Sequence, residues 1–190
     1  MRNYKFLLVA FLSLGLFMGC SNDDDNPEPV NQEEVVTTIR VTLTPAVGGT
    51  PIIFEKQDLD GDGPDEPVTT VSGDLMASTI YTGSILLLNE TVNPPEVVSE
   101  EVQEEDEDHQ FFFTFSEESG SVVTYADADG NDNPIGLAFV LTTAQAGSET
   151  LTVVLKHEPN KSAAGVSEGD ITNAGGETDV EATFNFEVVN

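Results

Sequence analysis

The chain predicts an all-β fold, an antiparallel, immunoglobulin-like β-sandwich of about nine strands. Three observations carry that expectation. Apolar residues recur with period two, β-branched residues crowd the apolar runs, and clusters of Gly, Pro, Asp and Asn separate the runs at short intervals. Residues 35–43 (VVTTIRVTL) open the pattern as a half-buried strand. After the Gly48-Gly49-Thr50-Pro51 turn comes 52–56, and after a long Asp/Gly/Pro stretch come 68–75 and 78–88. Residues 96–108 are the one helical candidate. They carry so many acids that mutual repulsion favours a mobile loop over a stable helix. Strand signals resume at 110–116, 122–125, 137–143, 151–156 and 183–189.

The most apolar of these is Phe111-Phe112-Phe113-Thr114-Phe115. Alternation sends Phe111, Phe113 and Phe115 to one face and Phe112 to the other, which fits a sandwich core better than an exposed binding platform. With no Trp and three Tyr, the chain also lacks the aromatic supply of a glycan-binding face.

Composition excludes several classes. The 190 residues hold 35 Asp plus Glu against 6 Lys plus Arg, a formal charge of −29. Such a surface repels a phosphate backbone, so nucleic acid is not an expected partner, and cations are the natural counter-charge. A single Cys closes no bridge within the chain and supplies too few thiolates for a zinc ribbon.

The N-terminus reads as an address. Arg2 and Lys5 precede an apolar run over 6–18, followed by Gly19-Cys20. That run is short of the roughly 20 residues a membrane-spanning helix needs, and the layout is that of an export signal. The organisation expected is a signal peptide at 1–19, a lipidated Cys20 with an acidic tether at 20–34, and a β-sandwich domain at 35–190. Without residues 1–19, four basic side chains face all 35 acids, a net of −31.

Two Asp-rich loops could gather a hard cation. In Asp58-Leu59-Asp60-Gly61-Asp62-Gly63, carboxylates at alternate positions converge if the loop curls, Gly63 permits the turn, and Glu66 stands at the ninth position. Thr69 occupies the twelfth, where an EF-hand has Glu, so a strand-flanked calcium loop and a hydrated turn are both open readings. Asp127-Ala128-Asp129-Gly130-Asn131 is a weaker match, with Asp127, Asp129 and Asn131 as calcium ligands. Calcium is the only cofactor these loops suggest; nothing points to an organic one. His109, after the acidic run 100–108, and His157, beside Glu158, are candidate transition-metal ligands. Their spacing does not say whether they meet.

Gly165-Val166-Ser167-Glu168-Gly169 matches the Gly-x-Ser-x-Gly string of α/β-hydrolases. No His follows Ser167 and the surroundings are β and loop, so no serine triad is expected.

Gly19-Cys20 resembles the lipobox of bacterial lipoproteins, with Phe17 where Leu is usual, and Ser21-Asn22-Asp23-Asp24-Asp25 resembles the acidic signal of surface-exposed Bacteroidetes lipoproteins. The Gln57–Gly63 and His109–Phe113 stretches and the Lys156–Lys161 and Gly169–Asp179 segments are similar to a group of short flavobacterial lipoproteins. Some of that group carry a type 1 periplasmic binding fold label, a two-lobed α/β architecture for which this chain has too few helices and residues. The resemblance implies attachment to the outer membrane through lipid on Cys20, facing the cell surface or the periplasm, and supplies no activity.

The function expected is therefore a surface-exposed, lipid-anchored binding or adhesion module, with calcium organising its Asp loops and no catalysis. Its partner is an unknown extracellular ligand or outer-membrane receptor. The alternatives are a cation-handling accessory lipoprotein for an outer-membrane transition-metal importer, using His109 and His157, and an extracellular hydrolase using two carboxylates.

Overall fold

A computed structural model of the chain describes residues 34–61, 63–117 and 119–190. Cys20 and its neighbours lie outside the described residues, as does Asp62. The compact unit containing the fold runs Glu33–Asn190, so it takes in Glu34, which the sequence assigns to the tether.

Among the described residues, ten strands form two sheets. In chain order they are β1 (Thr38–Pro45), β2 (Ile52–Gln57), β3 (Val68–Val71), β4 (Leu75–Met76), β5 (Ile80–Leu88), β6 (His109–Phe115), β7 (Val122–Tyr125), β8 (Ala138–Thr142), β9 (Gly147–His157) and β10 (Glu177–Val189). The six-stranded sheet has the order β3-β2-β1-β5-β8-β7 and the four-stranded sheet β4-β10-β9-β6. All pairs are antiparallel except β10 with β4, which run parallel through Val188–Leu75 and Val189–Met76. The all-β sandwich expected from period two is the fold observed.

The alternation that predicts the strands also fills the space between the sheets. Along β10, Ala182, Phe184, Phe186 and Val188 are buried while the intervening residues face out. Along β5 the buried positions include Tyr81, Ile85 and Leu87. Rings bridge the layers. Phe54 of β2 stands 5.5 Å from Phe184 and 5.1 Å from Phe186 of β10, and Phe113 of β6 lies 4.5 Å from Phe139 of β8. The Phe run divides as alternation requires. Phe111 is in the main core with Phe113 and Phe115 against it, while Phe112 joins a second cluster with Val166 and Ala174. The connection between β9 and β10 thereby covers that patch of the outer face of the four-stranded sheet.

The acidic segment differs from expectation. Residues Val98–Glu104 form a helix, α1, not a loop. Charge repulsion argued against it, but Val98 and Val102, one turn apart on the same face, are both fully buried against the core. Apolar burial next to β5 therefore outweighs repulsion among acids that point to water. Val102→Ala is expected to lower stability by about 2 kcal/mol, from lost transfer energy plus a cavity. Glu100→Ala, at an exposed helix position, should change it by less than about 0.5 kcal/mol. Urea titration of the two variants checks whether packing or charge governs the helix.

Candidate metal centre

The strand register brings the two histidines together. His109 opens β6 and His157 ends β9, and antiparallel pairing sets them directly opposite one another. Each shares parity with a core residue of its own strand, His109 with Phe111 and His157 with Leu155, so both rings point between the sheets. Their centroids are 4.7 Å apart, with the planes tilted by 45°.

Asp179 arrives through an irregularity. In β10 the register passes from Thr178 opposite Lys156 to Val180 opposite Leu155, leaving Asp179 as the extra residue of a bulge. A bulge re-aims its side chain out of the regular alternation. This one supplies a carboxylate beside the two rings. Glu34, from the segment leading into β1, closes the group at the end of the sandwich.

The geometry is compact. His109 Nε2 lies 3.2 Å from Glu34 Oε1 and 3.7 Å from Asp179 Oδ2, and His157 Nδ1 lies 3.6 Å from Glu34 Oε2 and 3.6 Å from Asp179 Oδ1. The four side chains are 0–7% exposed. His109 Nε2 and Glu34 Oε2 are buried without a hydrogen-bond partner.

Orientation of the first ring is set from behind. His109 Nδ1 lies 3.0 Å from the carbonyl of Glu105, just past the end of α1. A carbonyl only accepts, so Nδ1 carries the proton, and in the neutral ring Nε2 presents its lone pair to the carboxylates. A lone pair facing two buried carboxylates is unfavourable unless a proton or a cation sits between them. The surroundings reinforce the negative potential. Partial desolvation, then the charge of Glu96 and a hydrogen bond with it, then the charges of Glu34 and Glu105, raise the Glu101 carboxyl above its ordinary value.

These donors suit a first-row divalent ion. Four-coordinate zinc, with bonds of about 2.0–2.2 Å, holds its ligand atoms about 3.3–3.6 Å apart. Here each histidine nitrogen has its own oxygen of each carboxylate at 3.2–3.7 Å, and one ligand atom from each of the four residues lies within 4.8 Å of the others, so binding draws the side chains slightly inward. Two carboxylates, two neutral imidazoles and a divalent ion sum to zero charge, which removes the main cost of burying the acids. Calcium instead takes six to eight oxygens. Among the described residues this is the group of three or more His, Cys, Asp or Glu side chains arranged to hold a metal ion.

Backbone shape protects the cluster. Gly176, with φ of +63°, passes so close to β9 that a Cβ there would lie 2.1 Å from the His157 carbonyl oxygen. Only glycine fits between the bulge and the histidine.

The Asp loops are organised differently. Asp127 of the β7–β8 loop accepts hydrogen bonds from the amides of Gly136 and Ala138, both at 2.7 Å. Asp129 accepts from the amides of Asn131 and Asn133 and from Lys161 Nζ, each at 2.9 Å. Burial pushes the Asp129 carboxyl up, but Lys161 and the two amides outweigh it and hold its pKa below the ordinary value. Asn131 is exposed. Turn closure and the Lys161 ammonium therefore already engage these carboxylates. In the first loop, Asp60 Oδ2 accepts from the Asp65 amide at 3.2 Å and Glu66 is exposed. Asp58 has a buried Oδ1 without a hydrogen bond and borders a cleft of about 170 Å³ that Asp179 and Glu181 also line. Ser167 hydrogen-bonds only to its neighbour Glu168 among the described contacts, with no His near it in the chain.

The structure thus joins His109 and His157, both nominated by sequence, to Glu34 and Asp179, which were not. Comparison with known family models, curated proteins and solved structures finds no match. No helix among the described residues is long and apolar enough to cross a membrane.

Proposed function

We propose that the chain is a metal-stabilised, all-β binding module carried on a lipid-anchored chain. Its ion is zinc or a similar first-row divalent metal held by Glu34, His109, His157 and Asp179. The observation that carries this reading is the opposed histidine pair with two carboxylates at coordination spacing. Four buried protein ligands leave no open position for substrate, which favours a structural ion over a catalytic one. The stabilising metal in this reading is at the histidines and not calcium at the Asp loops. The address read from Arg2, Lys5 and Gly19-Cys20 supports export and lipidation.

A second reading, cation handling for an importer, draws on the same histidines and on the cleft that Asp58, Asp179 and Glu181 line together with Lys56. The two differ in exchange. A structural ion leaves slowly, whereas a delivered ion must transfer on contact with a competing ligand.

The test is elemental analysis of the purified protein, then calorimetric titration of the chelator-stripped chain with zinc and calcium. One equivalent of zinc bound tightly, released over hours to a chromogenic chelator, and no calcium at this site is the expected result. Release within seconds favours the importer reading. Absence of any first-row metal from the purified protein, together with no binding of zinc, cobalt, nickel or copper by the stripped chain, overturns both.

A further inference from the structure

The chain has 6 Lys plus Arg, and one of them, Lys161, is buried in the connection between β9 and β10. Its ammonium makes two contacts in different segments. One is Asp129 Oδ2 of the β7–β8 loop at 2.9 Å, and the other is the carbonyl of Asp106 at 2.5 Å, in the turn joining α1 to β6. Asp129 is itself fixed by two backbone amides of its own loop. The same turn is tied to the end of β9, where the Glu158 amide donates to the Asp108 carbonyl at 2.7 Å.

This turn holds His109 from behind. The Glu105 carbonyl, one residue before Asp106, takes both the Asp108 amide and His109 Nδ1 at 3.0 Å. Anything that fixes residues 105–108 fixes the ring's orientation and the nitrogen it offers to the site.

We propose that Lys161, locked by Asp129, is a positioning residue of the metal centre: it clamps the α1–β6 turn so that the Glu105 carbonyl holds the Nδ1 proton of His109 and aims Nε2 at the ion. The proposal rests on the metal reading above. A buried ammonium is costly unless paired, and its partners here are a carboxylate already anchored by two amides and the Asp106 carbonyl of the turn. Groups that orient a metal-bound histidine commonly contribute 10–100-fold in affinity.

The test compares the full chain with Lys161→Met and Asp129→Asn, the second keeping size and an acceptor oxygen. Zinc affinity is measured by chelator competition and the ligand geometry by the visible spectrum of the cobalt-substituted protein. Expected are zinc affinities about 10–100-fold weaker for Lys161→Met, a smaller loss for Asp129→Asn, and a cobalt spectrum shifted away from the four-coordinate pattern of the parent. A merely structural role lowers the metal-free melting temperature while leaving affinity and cobalt spectrum unchanged, and that result overturns the proposal. If Lys161→Met does not fold, unchanged zinc affinity in Asp129→Asn overturns it equally. Failure of the parent chain to bind zinc or cobalt is a separate outcome, which removes the metal reading itself.

Discussion

Zinc at about 100 times its dissociation constant is expected to stabilise the chelator-stripped protein by about 2.7 kcal/mol, raising the melting temperature by about 5–11 °C for a domain of this size. The reason is the cost of the empty cluster. Two carboxylates and two imidazoles are buried together, and a divalent cation between them offsets the charge of both acids. His109→Ala or His157→Ala should abolish the shift. Each removes one of the two nitrogens, and the affinity loss should exceed the roughly 100-fold typical of losing a group that only orients a ligand. Scanning calorimetry with and without zinc measures both. An equal thermal shift in parent and His157→Ala would mean that the ion binds elsewhere.

Phe54→Ala is expected to lower the unfolding free energy by about 3–5 kcal/mol, because it deletes a buried aromatic ring. Phe54 is wholly inaccessible and is the contact through which β2 of the larger sheet meets Phe184 and Phe186 of the smaller one. Against a total of about 5–15 kcal/mol such a loss is a large fraction of the whole. Val47→Ala, at a site 92% exposed, should move stability by less than about 0.5 kcal/mol. In urea the parent and Phe54→Ala should share a slope and differ in midpoint. A midpoint unchanged by Phe54→Ala would contradict the sandwich.

The fold was readable because period two is a local property. Residues 122–125 were expected and found as β7, and most other strands fall within a few residues of their apolar runs. The run 68–75 misleads for a physical reason. Its β-branched residues read on into Leu75 as one strand, but the chain crosses at Ser72-Gly73-Asp74 from β3 in one sheet to β4 in the other. The helix was missed because two buried valines decide it, a signal smaller than the acids around them.

The site was half legible. Histidine is rare in this chain, so both copies stood out, yet their meeting depends on β6 pairing with β9 in one register, which spacing alone does not reveal. Glu34 is one acid among 35 Asp plus Glu. Asp179 faces the histidines only because of a bulge, and alternation alone gives no sign of one. The regular glycines of the Asp58 loop were the louder signal, and they mark turn geometry as readily as a ligand.

The position of β10 fixes when this molecule can become itself. It lies inside the smaller sheet, between β9 and β4, and it follows the other nine strands in sequence order among the described residues. A chain still lacking it has β4 without a neighbour in that sheet, one wall of the Phe54 contact missing, and three of the four side chains of the candidate metal centre. Earlier hairpins can form as they appear, but closure waits for a pairing between distant parts of the chain, the kind of contact that slows folding. Completion of the core and assembly of the candidate metal centre are thus one event, set by the docking of β10.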